Sequence, residues 1–277
     1  MKYRNVIPAV FMDRSNRFIA HVDINGCRET VHVKNTGRCR ELLLPGAEVW
    51  LSGSENPARK TAWDLIAVRK SNGLLVNIDS QAPNAVAREW LETQGFDVIR
   101  PEYVYGHSRL DFMMERGNDR FLMEVKGCTL ERDGIGYFPD APTERGAKHL
   151  RELANAKGYK PVLMFVIQMD GITEVRGNRE TDPAFCEALE DAKRAGVKII
   201  FLPCHVEADE LTFCGIQAED KLKRYLEELP PADYVRDKFS QCYSEETILL
   251  LLRLYFHLSQ REAKKVIREY HRQYDRK

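Results

Sequence analysis

Gly117 and Asn118 stand between two segments, Ser108 to Arg116 and Asp119 to Lys126, in which apolar and polar residues alternate. A two-residue link of this kind closes a β-hairpin, because glycine and asparagine tolerate the positive φ that so tight a turn demands. With residue 116 facing 119 the register is fixed: Asp111 sits opposite Glu124, and Arg109 opposite Lys126. Side chains alternate across a strand, so Leu110, Phe112, Met114, Phe121, Met123 and Val125 are expected on a core-facing side. The other side carries Arg109, Asp111, Glu115, Arg120, Glu124 and Lys126, with Met113 and Leu122 among them.

Two carboxylates facing each other repel, and so do two cations beside them, so this arrangement costs stability unless a bound ion offsets it. Oxygens from Asp111 and Glu124, the carbonyl of Val125, and waters suit a hard cation, Mg²⁺ or Mn²⁺. Such a cation polarises a phosphate and acidifies an attacking water. Lys126, two residues beyond Glu124 and on the same face, is placed to orient or deprotonate that water. Glu89, on the preceding helix, is a candidate further ligand, although Arg88 and Glu92 beside it leave a surface role equally open. By itself the spacing from Asp111 to Glu124 and Lys126 is common in amphipathic hairpins, whose charges simply face water.

Residues 1 to 80 read as short strands broken by turn residues: 6 to 12, 18 to 24, 30 to 34, 48 to 52, 62 to 69 and 74 to 78. A small barrel hides the edges of such strands. Arg38 to Leu44 is long enough for two helical turns and is closed by Pro45-Gly46, which suggests an OB-like barrel with its inserted helix. From Pro83 helices alternate with apolar strands in the order αβββαβαβ, an α/β fold with a mixed sheet over 81 to 218. Asn84 is expected to cap the first of these helices. Val162 to Ile167 and Val197 to Leu202 are uninterrupted apolar runs, as expected of strands buried on both faces. Trp50, Trp63 and Trp90 read as core.

Residues 219 to 277 form a helical extension. Pro230-Pro231 breaks a first helix, Glu245 to Phe256 is very apolar, and Ser259-Gln260-Arg261-Glu262 is a capping box opening a basic helix. Two helices joined by so short a turn fit a helix-turn-helix reader of DNA. The plainer alternative, a helical hairpin packed on the body or on a second copy in a homodimer, is the favoured reading of this segment.

The seven cysteines are scattered and never spaced as CxxC, which supports neither a zinc knuckle nor a disulfide framework. The N-terminal residues show no signal-peptide pattern and no run reaches membrane-spanning length, so a cytoplasmic protein without membrane contact is expected. The formal charge of zero hides an uneven distribution: +4 over 1–80, −6 over 81–218, −2 over 219–258 and +4 over 259–277. Basic ends suit phosphates and an acidic middle suits a divalent cation, as solvated surface charge also could.

Asp111 followed by Glu124-Val125-Lys126 on the next strand of an αβββαβ core resembles the PD-(D/E)xK nucleases. The residue before Asp111 is Leu110 rather than the proline of that pattern. Over residues 1 to 215 the sequence resembles the SfsA (sugar fermentation stimulation protein A) family. The matching segments are Val33 to Arg38, Leu44-Pro45-Gly46, Ser108 to Phe112, Glu124 to Gly127, and the long run Phe138 to Leu150. The resemblance implies a non-specific DNA binder with a regulatory part in maltose metabolism, on a fold whose superfamily hydrolyses phosphodiester bonds with a metal held by residues matching Asp111 and Glu124 and with a catalytic lysine matching Lys126. It also favours DNA-backbone contact for Lys34, Asn35, Thr36 and Arg38, which flank or approach Gly37, where a tight turn alone would equally require glycine. Arg145, Lys148 and His149 fall at i, i+3 and i+4 of one helix, a face that is ordinarily solvated but would bind phosphate beside a nuclease cleft. Arg109 joins them as a cation of the hairpin. Two functional expectations follow, a metal-dependent deoxyribonuclease and a DNA-binding regulator without catalysis. An enzyme of small phosphorylated molecules is disfavoured, because no P-loop or dinucleotide-binding glycine motif is present.

Overall fold

The computed structural model describes residues 1–277 apart from 36, 55, 57, 215–216, 219–230, 241–244, 257 and 275–277. Six strands build the first unit: β1 (Val6–Arg14), β2 (Ile19–Ile24), β3 (Cys27–Val33), β4 (Glu48–Gly53), β5 (Trp63–Arg69) and β6 (Leu75–Asn77). They run in the order β3-β2-β1-β4-β5-β6, and a parallel pairing of β3 with β5 closes the first five into a barrel. Bulges in β1 at Phe11/Asp13 and in the β4–β5 ladder at Trp50/Leu51 accompany the tight curvature that closure requires.

The helix expected at residues 38–44 is not formed. Cys39 has φ of 45°, a left-handed conformation that an α-helix cannot contain, and its carbonyl instead receives the amides of Leu42 and Leu43 in a single turn. Leu42 and Leu43 are buried, so tertiary packing supplies what the helical ladder would have.

The second unit follows as α1 (Ala82–Glu92), β7 (Val98–Tyr105), β8 (Ser108–Arg116), β9 (Asp119–Cys128), β10 (Leu130–Arg132), β11 (Ile135–Phe138), α2 (Glu144–Ala154), β12 (Lys160–Ile167), β13 (Val175–Gly177), α3 (Pro183–Arg194), β14 (Lys198–Val206), β15 (Leu211–Phe213) and β16 (Gln217–Ala218). Its mixed sheet has the order β15-β14-β12-β9-β8-β7, with β16 beside β14 and a parallel run of β9, β12 and β14 at its centre. A small sheet β10-β11-β13 has no counterpart in the sequence reading. Gln81, not Asn84, occupies the N-cap of α1 and makes no side-chain cap bond; Pro83 in the first turn presets the helical φ. At α2, Thr143 is the N-cap and accepts from Gly146 N. At α3, Asp182 accepts from Phe185 N with one oxygen and from Thr143 N with the other, so one carboxylate ties two helix starts together.

Helix α1 covers one face of the sheet, where Val86, Trp90 and Leu91 pack with Phe112, Met114 and Met123. Trp50, Ile66 and Ala67 from the outside of the barrel join the same cluster. On the other face Leu150 and Leu153 of α2 and Phe185 and Leu189 of α3 pack with Leu163 and Phe165, in a cluster continuous with the barrel interior. Barrel and sheet therefore share their cores.

Beyond them lie α4 (Pro231–Ser240), α5 (Glu245–Tyr255) and α6 (Gln260–Tyr274). The break expected at Pro230-Pro231 falls partly outside the described residues, and α4 starts at Pro231. These helices enclose a separate small core of Tyr234, Val235, Ile248, Leu251, Leu252, Ala263 and Ile267. Among the described residues no helix is long and apolar enough to cross a membrane.

Candidate active site

The hairpin has the expected register: Arg116 pairs with Asp119, and the ladder runs to Phe112–Met123. One step further the strands part, and Asp111 replaces the missing ladder bond by accepting from Val125 N through Oδ2 at 2.7 Å. Between the Pro101–Phe112 and Tyr103–Leu110 pairs of the next ladder, Glu102 takes φ of 55°. At this irregularity strict alternation fails: Leu110 packs in the cluster of Met113 and Leu122, not in that of Phe112 and Met114. The kink leaves the Asp111 carboxylate free to meet α1, whose Asn84 donates from Nδ2 to Oδ1 at 2.8 Å.

Glu124 is 3% exposed. Its Oε1 accepts from Lys126 Nζ and from His149 Nδ1, each at 2.5 Å, whereas Oε2 is buried with no partner among the described residues. Arg145 Nε approaches His149 Nε2 at 3.4 Å, which fits the tautomer protonated on Nδ1. Burial pushes the Asp111 carboxyl up, and the Glu124 charge adds to the rise. Burial acts on Glu124 in the same sense, but the hydrogen bond from His149 and then the Lys126 charge outweigh it and hold that carboxyl below its ordinary value. Among the described residues no three His, Cys, Asp or Glu side chains are arranged as a ready-made metal cage. A cation at Asp111 and Glu124 would need main-chain, water or substrate oxygens as well, the usual habit of Mg²⁺. The unpartnered Glu124 oxygen beside a second carboxyl fits such an ion, because a buried anionic oxygen is costly unless something positive meets it.

These groups lie in a cleft of about 1020 Å³ between barrel and sheet. Asp111, Glu124, Val125, Lys126 and Arg145 line its sheet side; Asn35, Arg38, Arg17 and Arg40 line its barrel side. Arg17, Arg38, Arg40 and Arg145 are exposed, and among the described residues no ion pair engages their guanidinium groups. Arg14 also borders the cleft, but its guanidinium is occupied by the carbonyls of Asn16, Arg17, Asn35, Gly37 and Arg38 and pins that wall in place. Asp140 of the sheet unit lies against the same loop, and a Cβ on Gly37 would come within 2.2 Å of its Oδ2. The loop closes down on Asp140 because residue 37 has no side chain.

Several expected site residues are placed elsewhere. Glu89 ion-pairs with the Met1 amino group at 2.8 Å and is not part of the cleft lining. Lys34 lies 3.3 Å from Asp64 and 3.6 Å from Asp79 in a buried ionic network, which draws its ammonium inward. Asn35 donates to Ile78 O and accepts from Gly37 N, so it borders the cleft as a structural turn residue. Thr36 is outside the described residues. Arg109 does not face Lys126, because the β8–β9 ladder has ended by that point, and it pairs with Glu102 at 2.6 Å. With Arg145, Lys148 and His149 it borders an adjoining pocket of about 530 Å³. His149 is buried rather than solvent-facing, drawn in by Glu124. No motif in the sequence marks Arg14, Arg17, Arg40, Asn84 or Asp140 as a residue of this cleft. Asn84 stood out only as an expected cap, and the arginines carry no local pattern.

Comparison with known proteins decides the family. The model of the SfsA N-terminal OB domain matches residues 12–78, and that of the sugar fermentation stimulation protein RE domain matches residues 81–210. The chain belongs to the SfsA family. The sugar fermentation stimulation protein homolog of Desulfitobacterium hafniense is 50% identical over 216 residues, 76% of this chain and 94% of the relative. That of Ruminiclostridium cellulolyticum is 47% identical over 213 residues, 75% and 94% of the two chains. Among solved structures, Pyrococcus furiosus SfsA in complex with Ca²⁺ superposes with a TM-score of 0.71 at 27% identity, covering 79% of this chain and 97% of that one. Helices α4 to α6 lie outside both SfsA family models.

Proposed function

We propose that this SfsA protein is a Mg²⁺- or Mn²⁺-dependent nuclease that hydrolyses phosphodiester bonds of DNA in the cleft between barrel and sheet. The observation that carries the reading is the buried, unpartnered Glu124 Oε2 next to Asp111, on the floor of a cleft whose other wall holds exposed arginines. The PD-(D/E)xK likeness of the hairpin and the Ca²⁺ complex of the Pyrococcus relative support a hard, oxygen-seeking ion here. Asp111, Glu124 and the Val125 carbonyl would hold it, and when bound it supplies positive charge to the scissile phosphate and acidity to an attacking water.

The chain's own groups do the rest. Asn84 and Val125 N fix the Asp111 carboxylate. His149 and Lys126 hold Glu124 anionic and aim its free oxygen. The Lys126 ammonium, 15% exposed in its side chain, stands where it meets water and developing phosphate charge. Arg17, Arg38, Arg40 and Arg145 bind phosphates without reading bases, so recognition is sequence-independent. The setting of this activity is the cytoplasm.

A second reading, a non-catalytic DNA-binding regulator with a role in sugar metabolism, has one observation in its favour: the Lys126 ammonium already pairs with Glu124, and His149 hydrogen-bonds it, without a metal ion. End-labelled single- and double-stranded DNA, incubated with Mg²⁺, Mn²⁺ or chelator, separates the two. Under the nuclease reading Asp111→Ala and Lys126→Ala each lower cleavage by a factor of about 10² to 10⁴ while DNA stays bound. Salt-sensitive binding with no cleavage under any metal hands the function to the regulator.

A further inference from the structure

We infer that α6 carries a second DNA-binding surface, separate from the cleft, whose exposed cations dock on the phosphates of duplex DNA. At about 100° per residue, Arg261, Lys264, Lys265, Arg268 and Arg272 fall within one arc of roughly 100°. All five are exposed. The opposite side of the helix holds Ala263 and Ile267, both buried, and Val266 and Tyr270, which pack on the core shared with α4 and α5. The two acids of the helix sit at the edge of the arc. Glu262 is turned back to the helix start, where its Oε2 accepts from Ser259 N while Ser259 Oγ accepts from Glu262 N. Glu269 lies 3.9 Å from Lys265, a solvent-exposed pair that contributes little. Among the described residues Arg261, Lys264, Arg268 and Arg272 have no ion pair.

A face kept only for solubility mixes both signs. This one concentrates a single sign on a chain whose net charge is zero. From Arg261 to Arg272 the cations extend about 16 Å along the axis. A helix of about 10–12 Å diameter also matches the roughly 12 Å width of the major groove. A lipid surface is the weaker partner, because an interfacial helix needs a free apolar face, and that of α6 is covered by its own bundle. The inference takes from the proposed function only the identity of the polymer. The helix lies outside the SfsA family models and shares no residue with the cleft lining.

The test uses the full chain, a fluorescent 30-base-pair duplex, and chelator to exclude cleavage. Affinity is measured over a series of salt concentrations for the native protein and for a variant carrying Lys264→Gln, Lys265→Gln, Arg268→Gln and Arg272→Gln. Glutamine keeps a helix propensity close to that of lysine and arginine. At 0.1 M salt the variant should bind at least tenfold more weakly. Its plot of log affinity against log salt should be shallower by about 3 to 4, at roughly 0.9 for each phosphate no longer neutralised. If circular dichroism shows that four substitutions disturb the helix, Lys265→Gln with Arg268→Gln should flatten the slope by about 2. An unchanged affinity and slope overturns the inference, as does charge-dependent sedimentation with phosphatidylglycerol vesicles while DNA affinity ignores α6. With the Mg²⁺ cleavage assay run alongside on the native protein, cleavage together with α6-insensitive binding sinks this inference alone, and α6-dependent binding without any cleavage sinks the nuclease alone.

Discussion

Asp64 shows how single charges hold the barrel together. It is 5% exposed and is met by Arg59 through both oxygens, by His32 at 2.9 Å and by Lys34 at 3.3 Å. Burial alone would raise its carboxyl, but the hydrogen bonds from Arg59 and His32 and the Lys34 charge reverse the sign and hold it at about 2. A folded value below the unfolded one means that the contribution is complete above the ordinary value of 3.8 and is lost as pH falls toward 2. Asp64→Asn should therefore cost on the order of 1–2 kcal/mol at neutral pH. Its thermal stability between pH 4 and pH 2 should also fall less steeply than that of the native protein. Equal acid dependence of the two would remove Asp64 as the source. The same network explains why Lys34, one of the expected phosphate contacts, is unavailable: two carboxylates of the barrel, Asp64 and Asp79, have first claim on its ammonium.

The hairpin is positioned by a close approach just past Lys126. A Cβ on Gly127 would lie 2.2 Å from Gln168 Oε1 and 2.6 Å from Pro83 Cγ, and the buried Gln168 cannot swing away because its Nε2 bonds Asn77 Oδ1 and Asp79 O. Gly127→Ala should destabilise the protein by about 1–3 kcal/mol in a urea titration, and, if the proposed nuclease reading holds, cleavage should fall in parallel as β9 is pushed from α1. Full activity with an unchanged midpoint would show that the strand has slack. The hairpin was legible in the sequence because a period of two and a two-residue turn fix register without reference to the rest of the chain. Its end was not. The parting of β8 from β9 at Asp111 depends on Asn84 and on the turn of β7 at Glu102, contacts that no local pattern announces. The helix expected at 38–44 failed for a similar reason, since Cys39 is held left-handed against Asp140 from the other unit. The Arg14 clasp is equally invisible, because five carbonyls converge on it only in three dimensions. Glu89 shared a helix with the site and faced away from it. The capping box of α6, by contrast, needs only residues three apart and formed as read.

At the scale of the whole molecule, two sets of cores predict two kinds of opening. Among the described residues the α4–α6 core holds seven buried side chains, few against the clusters beneath barrel and sheet. Amides of α4 to α6 should exchange with deuterium well before those of β9 and β12, while amides of β1 to β5 should become exposed together with those of the sheet. Early, separate exchange of the barrel would contradict its shared packing. That joint packing bears on how a polymer enters. With Trp50, Ile66 and Ala67 on the same apolar floor as Val86 and Trp90, the barrel that carries the arginines is packed onto the unit that carries the carboxylates. The opening is thus a fixed gauge rather than a jaw. If the cleft takes nucleic acid as proposed, the polymer would have to do the bending, so an unpaired strand or a frayed terminus should pass where a stiff duplex stalls, and the flexibility of the substrate would become part of its selection.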